Sequence, residues 1–239
     1  MRIYLFLIKY KKCEHVYIHT TNRIKLSLIM ARKTREEALV TKEHILNAAE
    51  TLFLDKGVSY TSLHQIAETA GVTRGAIYWH FKDKVDLLQA LLDRAILPID
   101  EITATIVADS TRLPEEKILV LASKIADLLT NDERLCKAVE IITYKVELAG
   151  EFAIMHERHM QRFTHMFNIY YTLIEQEYKR RNLSPSKAQL NTTAHAVYAI
   201  CTGLFHNWIF SQNSFDFHKV TKHTIKTYLH GLWASDSSL

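Results

Sequence analysis

Cysteine, proline and glycine are all scarce in this chain, at three, three and six among 239 residues. The cysteines stand at 13, 136 and 201 with no CxxC pair, so there is no bridged framework and a reducing, cytoplasmic setting is expected. So few chain-breaking residues favour an all-α fold. No apolar run approaches the roughly 18 to 20 residues that a bilayer demands, so no membrane partner is expected. The opening Ile3-Tyr4-Leu5-Phe6-Leu7-Ile8 is short and runs straight into Lys9, Lys11 and Lys12. With no small-residue cleavage site behind it, it reads as neither signal peptide nor anchor. GxSxG, GxGxxG, HExxH and GKS/T patterns are all missing, and an enzyme is therefore not expected. A helical enzyme stays only as a distant alternative.

What is present is a well-stocked core: 48% of residues are apolar and 23% charged. The net charge of +4 lies in one place, because residues 1–29 hold six Lys and Arg against one acid. The remaining 24 bases and 25 acids nearly cancel, so net charge says nothing about the body, and a nucleic-acid reading must rest on local placement. Residues 1–29 form an atypical basic extension without a sustained period. Met30 is read as the natural start, the alternative being a basic arm that supplements DNA binding.

From Thr41, read as a helix cap, the pattern becomes helical. Ile45, Ala48, Ala49, Leu52 and Phe53 share one face, and Gly57 ends the run. A second helix begins at Thr61-Ser62 and stops at Gly71. Thr73 caps a third, through about Phe81, and Asp83 caps a longer fourth in which Pro98 disfavours continuation. Helices follow over roughly 114–129, 132–144, 152–181, 184–210 and 217–233. Three short helices make a head, and six longer ones a larger body.

The head carries the chemistry. Two short helices flank Gly71-Val72, a turn tight enough to cross them steeply, with Ala67 small where they approach. That is helix-turn-helix spacing, in which the second helix enters the major groove N-terminus first. Arg74 can pair bidentately with guanine O6 and N7, and Gly75 permits close approach to the duplex. Thr73, Tyr78 and His80 offer donors to phosphate, Lys84 opens the fourth helix with a charge near the backbone, and Lys42 lies on the flank. Trp79 serves either packing or contact.

The strings Met30-Ala31-Arg32-Lys33-Thr34-Arg35-Glu36-Glu37-Ala38 and Gly71-Val72-Thr73-Arg74-Gly75-Ala76-Ile77-Tyr78-Trp79-His80-Phe81-Lys82-Asp83-Lys84 resemble the TetR family of bacterial transcription regulators. The likeness is strongest to its AcrR-type branch, which represses multidrug efflux operons. The resemblance implies that Thr73, Arg74, Gly75, Tyr78, Trp79, His80 and Lys84 approach DNA. It also implies a helix-turn-helix DNA-binding domain over 30–85 and a helical effector-binding and dimerisation domain over 86–239. Such proteins repress genes as homodimers, and a lipophilic small molecule releases them. A repressor of a catabolic or lipid-metabolism operon is the alternative, and neighbouring genes would separate the two.

A two-fold dimer would set its recognition helices in successive major grooves of a pseudo-palindromic operator on double-stranded DNA. Its seam is expected among Tyr198, Leu204, Phe205, Trp208, Ile209, Ile225, Leu229, Leu232 and Trp233, some of which must be core. The effector pocket is expected among Leu88, Leu91, Leu92, Ile96, Ile141, Tyr144, Phe163, Phe167 and Tyr170, with Glu140, His165 and Asn168 as polar points. Ordinary bundle core is the competing reading of the same positions. His156 and His159 lack an evident third ligand, so no metal and no cofactor is expected. Cys136 and Cys201 read as small buried apolar residues.

Overall fold

The computed structural model describes residues 35–147 and 150–236, all helix and connecting loop with no strand among them. The expectations for residues 1–29 and for Met30 lie outside the described residues. The first helix, α1, covers 35–56. It is already helical before Thr41, so Thr41 does not cap it; its hydroxyl donates to the Glu37 carbonyl at 2.9 Å. The strong helix formers Glu36, Glu37, Ala38 and Leu39 extend the helix backwards past the residue that looked like its start.

Next come α2 (Leu63–Ala70) and α3 (Arg74–His80). Ser62 and Gln65 close a reciprocal cap at the start of α2: the Gln65 N–H donates to Ser62 Oγ, and the Ser62 N–H donates to Gln65 Oε1. Gly71 ends α2 at φ 66°, ψ 29°, the left-handed conformation that side chains resist. Asp83 then caps α4 (Lys84–Ala108), accepting from the Asp86 N–H at 2.8 Å. α4 runs through Pro98 unbroken. The lost hydrogen bond at proline is outweighed by the apolar side chains that α4 buries on both sides of it, Leu91, Leu92 and Ala95 before and Ile106 after.

The body continues with α5 (Pro114–Asn131) and α6 (Glu133–Glu140). α6 passes into a wider π-helical turn at Ile141–Lys145, and a 3₁₀ turn at Gly150–Phe152 leads into α7 (Ala153–Arg180). The chain closes with α8 (Lys187–Phe210) and α9 (Phe217–Asp236). Among the described residues no helix is long and apolar enough to cross a membrane.

Two buried clusters organise the fold. The first joins the head to the near half of the body: Ile45, Phe53, Ile66 and Ile77 pack with Leu87 and Leu88 of α4, and with Leu135, Ile141 and Phe152. The second lies further out, where α5, α7, α8 and α9 meet around Leu121, Tyr170, Ile174, Val197 and Leu229. Ile125 packs against both. Polar ties reinforce the first cluster. Arg94 of α4 donates to Glu43 at 2.8 Å, Asn47 at 2.9 Å and Glu50 at 3.2 Å, all on α1. Lys137 of α6 stands 3.8 Å from Glu50, whose carboxyl burial pushes up against the pull of Arg94 and Lys137. Head and body therefore share a core.

Of the expected seam, Phe205, Trp208, Ile225, Leu229 and Trp233 are buried within the chain's own core. Tyr198, Leu204, Ile209 and Leu232 are partly buried and keep some apolar surface outward.

Candidate nucleic-acid interface

α3 sends one residue inward. Ile77 is fully buried among α1, α2 and α4, with Phe81 behind it, and this anchors the helix by its middle. The rest of its surface faces out: Thr73, Arg74 and Gly75 are exposed, Tyr78 is 50% exposed and Trp79 73%. Large aromatics left in water at that level need a reason beyond core packing. For Trp79 the choice between packing and contact thus falls to the surface, where its ring sits edge-on to His80 at 4.5 Å between centroids.

Local chemistry sets the posture of each group. Thr73 caps α3, its Oγ1 accepting from the Ala76 N–H at 3.2 Å, which leaves a hydroxyl proton to donate outward. The Arg74 guanidinium lies 5.7 Å from the centre of the Tyr78 ring, a contact that limits where the long side chain swings. Burial, and then the charge of Lys42, hold His80 below the usual histidine range. At neutral pH it therefore presents one hydrogen-bond donor and no charge. The Lys42 ammonium stands 5.7 Å from the Phe81 ring centre, on the flank of α3.

Between the N-termini of α2 and α3 lies a shallow notch of ≈ 470 Å³, lined by Thr61, Ser62, Leu63, His64, Arg74, Tyr78 and Lys84. Three of the expected residues, Arg74, Tyr78 and Lys84, meet there. Sequence reasoning missed the other wall. His64 is two-thirds exposed, with Glu68 3.5 Å away, and Tyr60, in the loop before α2, is 79% exposed. No local spacing reveals it, because which way the first turn of α2 faces is set by how α2 crosses α3. Lys84 is differently engaged than a free cation: its Nζ donates to the carbonyls of Ser59 and Thr61.

The positions expected to line an effector pocket are divided by the fold. Leu88, Leu91, Leu92 and Ile141 are buried in the first cluster, with Ile96 packed against it. Tyr170 is buried in the second, its hydroxyl 3.9 Å from Cys201 Sγ, and Phe167 packs against that cluster. Phe163 stacks on Phe167 at 5.9 Å, and the His195 and Tyr198 rings of α8 close on the pair. Glu140 is half-buried at the end of α6. Tyr144 is exposed, its hydroxyl 2.9 Å from His206 Nδ1, and His165 and Asn168 are exposed on α7. Among the described residues no cluster of three or more His, Cys, Asp or Glu could hold a metal ion.

Comparison with known proteins adds to this geometry. Residues 45–91 match the family model for bacterial regulatory proteins of the tetR family, and residues 115–233 match that for the C-terminal region of MAATS-type transcriptional repressors. The HTH-type transcriptional regulator AcrR of Shigella flexneri is 38% identical over 196 residues, spanning 80% of this chain and 88% of that protein. The structure of NalD, the secondary repressor of the MexAB-OprM multidrug efflux pump in Pseudomonas aeruginosa, superposes with a TM-score of 0.71. It is 31% identical and the match covers 82% of this chain and 97% of NalD. SmeT in complex with triclosan, the repressor of a Stenotrophomonas maltophilia efflux pump, superposes at 0.68 with 26% identity, over 80% of this chain and 91% of SmeT.

Proposed function

This chain belongs to the TetR family of bacterial regulatory proteins, and from that premise we propose that it is a sequence-specific DNA-binding repressor of a multidrug efflux operon. A lipophilic small molecule taken up by the body releases it from its operator. The observation that carries the reading is α3 itself, whose one fully buried residue is Ile77, with Arg74, Gly75, Tyr78 and Trp79 turned to solvent inside the family match. Arg74 reads a guanine, Gly75 admits the backbone to the groove, and Thr73, Tyr78, Trp79 and His80 meet the duplex around them. Lys42 supports the flank. The protein acts as a homodimer on a pseudo-palindrome, two heads a helical turn apart. The partly covered Tyr198, Leu204, Ile209 and Leu232 supply apolar surface for that pairing. The effector reading is supported by similarity to SmeT, whose structure is a complex with triclosan, and by the aromatic group of Phe163, Phe167 and Tyr198 beside the second cluster.

The test is fluorescence anisotropy on the DNA upstream of the protein's own gene, with excess non-specific competitor, followed by titration of triclosan as a lipophilic probe. Competitor-resistant binding that the probe reverses is the expected result. Arg74→Ala should cost about 1–3 kcal/mol and flatten the preference for one base pair. An equal loss on every DNA sequence would reduce Arg74 to a phosphate contact. Absence of any sequence preference in the wild-type protein would end the repressor reading.

A further inference from the structure

His64 is the second residue of α2, and it belongs to neither buried cluster. Its neighbours do the packing: Ile66 is fully buried and Leu63 lies against the first cluster. For the helix itself alanine would serve better than histidine. What the fold does with His64 is bring it to the notch that Arg74 and Tyr78 line from α3. Arg74 opens α3, and in the DNA-binding reading that end enters the major groove first. A side chain across a notch of ≈ 470 Å³ reaches the same stretch of groove, since base pairs succeed one another every 3.4 Å or about that.

Two partners compete for His64 there, phosphate oxygens at the rim or base edges on the floor. Glu68 separates them. Its carboxylate lies 3.5 Å from His64 Nε2, both side chains are 67% exposed, and among the described residues no Lys or Arg stands within 4 Å of it. With a protonated ring the pair is neutral overall, and with an unprotonated ring it is negative, so neither state attracts phosphate. Lys84, which lines the same notch, offers phosphate the charge that this pair lacks. A base edge meets no such obstacle. The unprotonated imidazole holds one donor and one acceptor, and every base pair shows both in the major groove.

We propose that His64 is a specificity-determining residue: from the wall of the notch opposite Arg74 it reads the major-groove edge of a base pair a few steps at most from the one that Arg74 reads. The proposal rests on the DNA-binding reading above, and it adds α2 to a base-reading surface otherwise carried by α3.

The test uses the full-length protein beside His64→Ala and Arg74→Ala. Each selects from a library of randomised duplexes, and affinities for the duplex that the wild type prefers are taken by fluorescence anisotropy with excess competitor. His64→Ala should fold as the wild type does, because the side chain is exposed and alanine suits a helix. It should bind the preferred duplex about fivefold more weakly, the loss of one hydrogen bond. Its preference should flatten at one base pair, different from the pair that Arg74→Ala flattens. An equal loss on every duplex would make His64 a phosphate contact and overturn the proposal. Unchanged affinity and preference would overturn it as well. So would flattening confined to the pair that Arg74 reads, because His64 would then act only through Arg74. Failure of the functional reading looks different: the wild-type protein itself would draw no preferred sequence from the library, and the proposal would fall with that reading.

Discussion

Gly75 stands near the start of α3, where a β-carbon would meet nothing closer than Thr73 Oγ1 at 3.9 Å. The free protein has room for a methyl group there, and its backbone is ordinary helix. Folding therefore gives no reason for glycine, since alanine in a helix is better by up to about 1 kcal/mol. In the DNA-binding reading proposed above, the requirement comes from the duplex. Gly75→Ala should leave thermal stability equal or higher while operator affinity drops roughly tenfold, the factor produced by about 1.4 kcal/mol. Calorimetry beside anisotropy checks both halves, and a variant that is stable and binds fully would remove Gly75 from the interface. The outward placement of Arg74 and Tyr78 was readable from their spacing, because α3 has room for a single buried position and Ile77 takes it, whereas spacing alone leaves Trp79 open between packing and contact. His64 was not readable in that way, since its role depends on which wall of the notch it occupies, and that is fixed by the crossing of α2 over α3.

At the scale of elements, the turn between α2 and α3 decides whether α3 is presented at all. Gly71 holds φ 66°, and no atom lies within 4 Å of where its β-carbon would be. Substitution meets a backbone penalty and no clash. Gly71→Ala should cost about 1 kcal/mol in a urea titration with an unchanged slope against denaturant. A larger loss would point to packing that the free space around Gly71 does not contain. α1 and α4 show where local signals fall short. Thr41 has the chemistry of a cap and Pro98 that of a breaker, yet both sit inside helices. In each case a longer stretch of helix-forming and core-burying neighbours outweighs one residue's preference.

For the whole molecule, the far end of the body holds a buried charge. Glu177 of α7 is fully buried and receives Arg180 Nε at 2.9 Å and Arg181 Nε at 2.7 Å. Arg181 also reaches Glu115 of α5 at 2.6 Å and stacks 4.6 Å from the Trp233 ring centre of α9. Burial pushes the Glu177 carboxyl up, but the arginine hydrogen bonds and charges outweigh it and hold it below the usual range. A carboxyl depressed in the folded state stabilises fully above its unfolded value of about 4.3. That contribution is lost as pH falls through the lower, folded value. Glu177→Gln should therefore cost about 1.5 kcal/mol at pH 7, since partly exposed Arg180 loses its charged partner while Arg181 keeps Glu115. Its stability should also fall less steeply than that of the wild type on acidification below about pH 4. Parallel acid limbs for the two proteins would refute the assignment.

Over the described residues, the sequence by itself determined the helix count, the helix-turn-helix head and the outward placement of Arg74, Gly75 and Tyr78 on α3, and it carried the family resemblance. Each is written in local spacing: periodicity of 3.6, caps, and a glycine where the backbone must turn left-handed. Tertiary structure alone decided what happens between elements. It packed the head and the near half of the body into one cluster, sent Tyr170 and Leu91 into different clusters, and buried half of the apolar surface that had seemed free for a partner. It also turned the Lys84 ammonium onto carbonyls 23 and 25 residues away. Contacts of that separation depend on how helices cross, and helix crossing is set by packing that no single stretch of sequence contains.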